Sequence, residues 1–268
     1  AKRNFQHMEL ESASNFVEAA KKAGIKKIIY LGGLFSESTS LSKHLLSRKQ
    51  VGDILRSSGI QVITFRASII IGSGSLSYEI IRTITERIPY IITPKWLSIK
   101  AQPISVTDVL DYLIQALTAD VKATEIFEIG GKDQVSYLDI IKEYAKQRHL
   151  NPHFISTPFI NSYFSSFLLS LATPIYARIG RKLISGLKTA TIVTDHTKVN
   201  QLFSISPMSL SESIKHAIKH ENQEFAMTHW ADCYSSMRVQ PNVWQEEQFG
   251  NRLVYIKKIT INDKILDK

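Results

Sequence analysis

The segment LSKHLLSRKQVG places His44 and Arg48 four residues apart, with Lys49 beside them. On a helix, that spacing puts both side chains on one face. A histidine there can relay a proton, and an arginine can hold a phosphate or carboxylate. The same spacing also describes an ordinary solvated face. Two apolar runs end in paired glycines: YLGGLF at Gly32 and Gly33, and EIGGKD at Gly130 and Gly131. Glycine lets backbone amides approach a ligand closely, and it equally makes turns. A third cluster, IIIGSGSLSYEIIRTI, supplies Gly72 and Gly74 as the first two glycines of a dinucleotide fingerprint. Its third position is Ser77, and the following region, YIITPKW, has no carboxylate for a ribose. A tight strand-to-helix turn at a sheet edge is the simpler reading. His216 and His220 form an i, i+4 pair in HAIKH, which lacks the glutamate of a metalloprotease motif and reads as a solvated helix face.

These residues need elements to hold them. Phe5, Met8, Ala13, Phe16, Val17 and Ala20 recur at helical spacing, so a helix is expected over 5–23, ended by Gly24. KIIYL (27–31) is a continuous apolar run, the signature of a strand buried on both faces of a parallel sheet. A helix over 41–58 ends at Gly59, and IQVITFRASIII (60–71) is the next buried strand. Further helices are expected at 76–88, within 103–118 (with Thr107 as cap and Asp108 in the first turn) and over 135–150, capped by Ser136. A strand is expected at 125–131. Residues 151–226 read as mainly helical, the stretch from about 231 as a linker, and 253–262 as one more strand. Strands alternating with helices across short connections predict a doubly wound parallel α/β sheet, Rossmann-like, with a mainly helical C-terminal part.

The chain has 268 residues, 44% of them apolar, enough for a substantial core. Its formal net charge of +9 favours anionic partners such as nucleotide phosphates. The densest basic cluster, KKAGIKK (21–27), sits between a helix and a strand and reads as a solvated helix end. No recognition helix or aromatic RNA-binding motif accompanies the charge, so nucleic acid is not an expected partner. The single cysteine, Cys233, suits a reducing compartment, and the cytoplasm is the expected location. The most apolar window, 163–179, offers about a dozen residues before Pro174 where a membrane span needs about 20, so membrane association is not expected. The opening residues carry no signal-peptide pattern and read as the interior of something longer.

IIYLGGL, LSKHLLSRKQVGDILRSSGIQVITFRASIIIGSGSLSYE, PISVTDVLDYL, FEIGGKDQVSYLDII and THWADC occur in that order. Together they resemble the atypical short-chain dehydrogenase/reductase relatives, the NAD(P)-binding NmrA-like and YbjT-like proteins, and in particular those with a C-terminal DUF2867 domain. The resemblance covers about residues 1–232, and EEQFGNRLVYIKKITIN is similar to the opening of DUF2867. It implies three regions: 1–150 as the C-terminal portion of an NAD(P)-binding domain, 151–230 as a helical substrate-side cap, and 231–268 as linker and partial DUF2867-like domain. It further implies that the sheet lacks its first strands and that the phosphate-binding glycines lie upstream of residue 1. This chain alone would then hold dinucleotide poorly, and would associate with itself or depend on the missing segment.

By the same resemblance, the family's Tyr-x-x-x-Lys pair is replaced here by His44 and Arg48, and its serine region by Gly32 and Gly33. The implied cofactor contacts are Leu31, Gly32, Gly33, Arg48, Arg66, Ala67, Ser68 and Gly72, with His44 and Arg48 as candidate acid and cofactor clamp. The implied function is an NAD(P)H-dependent oxidoreductase or epimerase-like protein acting on a small molecule. The alternative is a non-catalytic NAD(P)-binding sensor or assembly protein.

Overall fold

Three strands form the central sheet of the computed structural model, which describes residues 5–35, 42–121, 123–156, 190–221, 245–249 and 252–256. They are β1 (Lys27–Gly33), β2 (Gln61–Ala67) and β7 (Glu125–Ile129), in the order β1-β2-β7. All run parallel, with Lys27 opposite Gln61 through to Gly33 opposite Ala67, and Ile63 opposite Glu125 through to Ala67 opposite Ile129. Parallel neighbours need crossover connections, and helices supply them. α1 (Phe5–Lys22) and α2 (Lys43–Arg56) cover one face, where Val17, Ala20, Leu55, Ile28 and Val62 are buried together. α4 (Val106–Thr118) and α6 (Thr197–Leu202) cover the other, where Ile63, Phe65 and Phe127 meet Val109, Tyr112, Val199 and Phe203. This is the expected three-layer α/β arrangement.

A second core lies alongside. Tyr78 and Ile81 of α3 (Leu76–Arg87) pack with Ile140, Ile141 and Tyr144 of α5 (Tyr137–Gln147) and Ile214 of α7 (Leu210–Glu221). β4 (Tyr90–Thr93) pairs in parallel with β9 (His153–Ser156) at its margin. Charged side chains tie the three helices together. Arg148 donates to Glu221 Oε2 at 2.7 Å and to Glu86 Oε1 at 3.1 Å, Tyr144 donates to Glu86 at 2.7 Å, and the Tyr78 hydroxyl donates to Glu221. Short two-residue strands complete the connections: β3 (Ile70–Ile71) with β6 (Ile104–Ser105), and β5 (Lys100–Ala101) with β8 (Val135–Ser136). The chain divides into two units, Ala1–Trp230 and Ala231–Lys268. In the second, β10 (Gln245–Phe249) and β11 (Arg252–Ile256) form an antiparallel hairpin.

Several local expectations are revised. α4 is capped by Ser105, whose hydroxyl accepts from Thr107 N at 3.2 Å, so the helix starts before Thr107 rather than at it. Serine is the better cap of the two, and the β6 pairing holds Ser105 extended just before the helix. Ser136 caps α5 as expected, in a reciprocal box with Asp139. The apolar run 60–71 is two strands, β2 and β3, that pair with different neighbours. β9 lies in a region read as helical, and β10 in one read as linker. QEEQF carries no alternation that would signal a strand. Lys27, read as part of a solvated cluster, donates to the carbonyls of Ala116, Leu117 and Ala119 at 3.1–3.2 Å, closing the C-terminus of α4. The apolar window 163–179 and Cys233 lie outside the described residues, among which no helix is long and apolar enough to cross a membrane.

Two predictions follow from these contacts. A Cβ on Gly131 would stand 2.3 Å from the Pro103 carbonyl oxygen, backbone that cannot rotate away. Gly131→Ala should therefore lower unfolding free energy by about 1–3 kcal/mol in a urea titration, as overpacking does. Burial raises the Glu86 carboxyl, but the Tyr144 hydroxyl and the Arg82 and Arg148 guanidiniums outweigh it and hold the group below its ordinary value. The contribution is complete above the unfolded carboxylate value of about 4.3 and fades as pH falls through the lower folded one. Glu86→Gln should flatten the loss of stability between roughly pH 5 and pH 3 relative to the wild type.

Candidate functional site

In an open parallel sheet, ligands bind outside the carboxyl ends of the strands. At the carboxyl end of β1, Gly32 stands opposite Arg66 and Gly33 opposite Ala67. The strand edge continues through Leu34, whose N–H donates to the Ala67 carbonyl at 2.8 Å. Leu34 and Phe35 are buried, and the Arg66 guanidinium lies 4.3 Å from the Phe35 ring centroid. Stacking on an aromatic face is a favourable way to hold a guanidinium out of water. Glu128 is the register partner of Arg66 on β7, so a carboxylate shares this edge; its Oε2 accepts from the backbone and hydroxyl of Thr194, both at 2.8 Å.

Next to it, Ser68 and Thr191 share a hydrogen bond of 2.6 Å between hydroxyls. Burial, partly offset by a hydrogen bond with Thr191, pushes the Tyr137 phenol up to about 12, so it stays protonated at neutral pH. Gln102 is almost wholly buried. It donates to the Gly131 carbonyl at 2.7 Å and accepts from Val193 N at 3.0 Å. The backbone of Thr191 is laced to Lys100 and Gln102 by two hydrogen bonds of 3.0 Å. Residues 191–194 therefore run as a strap along the carboxyl edge of the sheet.

The glycines divide sharply. Cβ atoms on Gly72, Gly130 and Gly131 would collide with Val106, Gln102 and Pro103 at 2.5, 2.7 and 2.3 Å. These three are small because their own chain packs onto them. The GSGS turn is also already satisfied: Gly74 N donates to Glu79 at 3.0 Å, and Ser75 caps α3. Gly32 and Gly33 differ. The nearest atom to a Cβ on Gly33 is the end of the Leu45 side chain at 3.2 Å, which can yield, whereas at Gly32 it is the Tyr30 ring at 3.2 Å, held by its hydroxyl on the Arg48 carbonyl. Neither meets backbone as closely as Gly131 does.

Of the residues singled out from sequence, the structure brings Gly32, Gly33, Arg66, Ala67 and Ser68 to one edge. Leu31 lies one residue deeper, packed against the α4 face. Gly72 faces Val106 rather than this edge. His44 is in the first turn of α2, beside Leu45, which reaches Gly33. Arg48 is further along α2: its guanidinium pairs with Glu9 at 3.4 Å, and its carbonyl accepts from the Tyr30 hydroxyl at 3.2 Å. Phe35, Gln102, Glu128, Thr191 and Thr194 also belong to the edge, and no local motif marks them. His216 and His220 sit with ring centroids 4.5 Å apart on α7, remote in sequence from any of these residues.

No protein-family model matches the chain, and no curated protein is significantly similar to it. Solved structures are similar in fold. The NADPH-dependent quinone oxidoreductase QOR2 of Escherichia coli, complexed with NADPH, is 16% identical with a TM-score of 0.62, covering 81% of this chain and 74% of its own. A nucleoside-diphosphate-sugar epimerase of Staphylococcus aureus is 13% identical with a TM-score of 0.59, covering 80% and 74%. The UDP-glucuronic acid 4-epimerase of Bacillus cereus, in complex with NAD, is 18% identical with a TM-score of 0.57, covering 80% and 68%. The chain therefore has the Rossmann-like α/β fold that these proteins share.

Thr191 is the shared partner of the Ser68 and Tyr137 hydroxyls. Thr191→Val removes the acceptor and donor while keeping the shape, leaving two part-buried hydroxyls unpaired. Stability should drop by about 1–3 kcal/mol, and the backbone amides of Thr191 and Gln102 should exchange faster with deuterium.

Proposed function

We propose that this chain is the nucleotide-holding portion of an NAD(P)-dependent oxidoreductase or epimerase-like protein of the atypical short-chain dehydrogenase/reductase type. The observation that carries this reading is the edge at Gly32 and Gly33, where two glycines end a parallel strand at its carboxyl end, beside Arg66 and Ala67. A backbone free of side chains there lets a flat ring or a phosphate lie against the strand ends. The fold neighbours solved in complex with NAD or NADPH support the choice of ligand.

Bound NAD(P) would supply hydride transfer at its nicotinamide. The chain's own residues would do the holding. Gly32, Gly33 and Ala67 form the floor, with Leu31 beneath, and Arg66 and Ser68 line the β2 side. Arg48 would exchange Glu9 for a ribose or phosphate, and His44 is the candidate proton donor. Gly72 does not join them, because its open side is filled by Val106. The finer assignments belong to the same proposal: an NmrA-like protein, a helical cap over 151–230, a DUF2867-like continuation beyond 231, a cytoplasmic location and a small-molecule substrate.

A second reading, a non-catalytic NAD(P)-binding sensor or assembly protein, is favoured by one observation. The position that the resemblance assigns to the family lysine is Arg48, and it is engaged in an ion pair with Glu9.

Titrating NADPH while following nicotinamide fluorescence tests the proposal. Weak saturable binding is expected, with a dissociation constant on the order of 1 mM, weakened about tenfold or more by Gly33→Ala at unchanged thermal stability. No binding, or binding indifferent to Gly33→Ala, would overturn it. NADPH oxidation by a quinone acceptor, lost in His44→Ala with binding retained, would separate the enzyme from the sensor.

A further inference from the structure

Tyr137 is a buried phenol that the functional reading leaves unused. Two backbone pairings bring it to the carboxyl edge of the sheet. It opens α5, directly after β8, and β8 pairs with β5, Lys100 opposite Ser136. β5 also bridges to Thr191 through Ala101, whose other partner is Val135. Thr191 N donates to the Lys100 carbonyl and its own carbonyl accepts from Gln102 N, both at 3.0 Å. With that backbone held, a side chain branched at Cβ has few rotamers to choose from. Ser68 is fixed as firmly. It lies between Ala67, whose carbonyl accepts from Leu34 N at 2.8 Å, and Ile69, whose carbonyl accepts from Ile104 N at 2.9 Å. Three hydroxyls thus stand in a row: Tyr137, Thr191 and, half-buried at the edge, Ser68.

Burial decides which way the hydrogens run along this row. A hydroxyl donates one hydrogen bond and accepts up to two. Burial keeps the Tyr137 phenol protonated at neutral pH, and Thr191 is its hydrogen-bond partner among the described residues. When the phenol donates to Thr191, the Thr191 proton goes to Ser68 Oγ at 2.6 Å. The Ser68 proton is then left to an acceptor outside the chain. The reverse order would leave the phenol proton unpaired away from water, which costs far more than letting a half-exposed serine bond solvent. Bonds in such a row polarise one another. Ser68 is therefore an outward donor whose own oxygen is already engaged. Register sets the charge beside it. Arg66 and Glu128 stand opposite each other on β2 and β7, one charge of each sign, so this pair exerts no net pull on an ion.

We propose that Ser68 donates its hydrogen to an uncharged carbonyl oxygen bound at this edge, with Thr191 and Tyr137 as the positioning residues that fix the direction of that hydrogen. The carbonyl belongs to a nicotinamide carboxamide or to a ketone substrate, which present the same acceptor. The proposal rests on the functional reading for the place of the ligand, at the strand ends where Gly32, Gly33 and Ala67 lie. Thr191 and Tyr137 act through Ser68, and without them its hydrogen is free to turn back into the chain.

Nuclear magnetic resonance of the full chain tests this, with free nicotinamide and cyclohexanone titrated separately while the backbone amide shifts of residues 68 and 191 are followed. At least one probe should saturate in the millimolar range, and the one that does identifies the source of the carbonyl. Ser68→Ala, at a half-exposed position, should weaken that probe about three- to tenfold, the loss of one hydrogen bond. Tyr137→Phe and Thr191→Val should each weaken it about threefold, and Thr191→Ser, which keeps the hydroxyl, should not. A double-mutant cycle decides between positioning and mere structure: in a Ser68→Ala background, Tyr137→Phe should weaken the probe no further. A purely structural Tyr137 would weaken it equally in both backgrounds. Should Tyr137→Phe fail to fold, Ser68→Ala and the contrast between Thr191→Val and Thr191→Ser carry the test. Saturation by neither probe, indifference to Ser68→Ala, or additive effects in the cycle would each overturn the proposal. NADPH enters none of these readouts. Failed NADPH binding with a non-additive cycle sinks the functional reading alone, and NADPH binding with an additive cycle sinks this proposal alone.

Discussion

The pairing of β2 on both its edges is the constraint on which the rest depends. β2 is bonded to β1 on one side and to β7 on the other, and Val62, Ile63 and Phe65 are wholly buried. Its two faces anchor two separate cores, Val62 towards α1 and α2, Phe65 towards α4 and α6. The Phe65 ring sits 5.4–5.9 Å from the rings of Tyr112, Phe127 and Phe203, so one side chain connects β7, α4 and the segment after α6. A slip of one residue in this register would exchange the faces and turn Arg66 into the aromatic core. The position of Arg66 beside Gly32, Phe35 and Glu128 is a consequence of that register.

The same register explains why the glycines have different reasons. β6 and the start of α4 are drawn against β3 and the end of β7, and Val106, Gln102 and Pro103 press onto Gly72, Gly130 and Gly131. Close packing of the segment before β6 and of a helix start against the sheet demands small residues there. At β1 the nearest atoms to Gly32 and Gly33, among the described residues, belong to the Tyr30 and Leu45 side chains rather than to backbone.

Much of the fold was legible in the residues. Continuous apolar runs at 27–31 and 61–67 announced strands buried on both faces. Gly24 and Gly59, with φ of +67° and +79°, ended the helices where left-handed backbone was needed. Ser136 announced α5. The candidate edge was legible in part: Gly32, Gly33, Arg66, Ala67 and Ser68 do lie together, since they end neighbouring strands. Thr191 was not, because it meets Ser68 across 123 residues of sequence. Gln102 was not, because a buried glutamine has the same local surroundings in sequence as an exposed one. The hairpin at 245–256 was only half visible, because one of its strands has no alternating pattern.

Sequence alone determined the periods, the caps and the turns, and so the layered α/β class. Those depend on interactions within a few residues, whose geometry is the same in any fold. Tertiary structure alone decided which glycines are filled by the chain's own atoms, that Lys27 closes α4, that Arg48 holds Glu9, and that Phe16 is exposed on α1 among the described residues. Each of those depends on what stands next to a residue in space. A side chain of given chemistry is core, cap or exposed surface according to the neighbour that register and crossover bring to it.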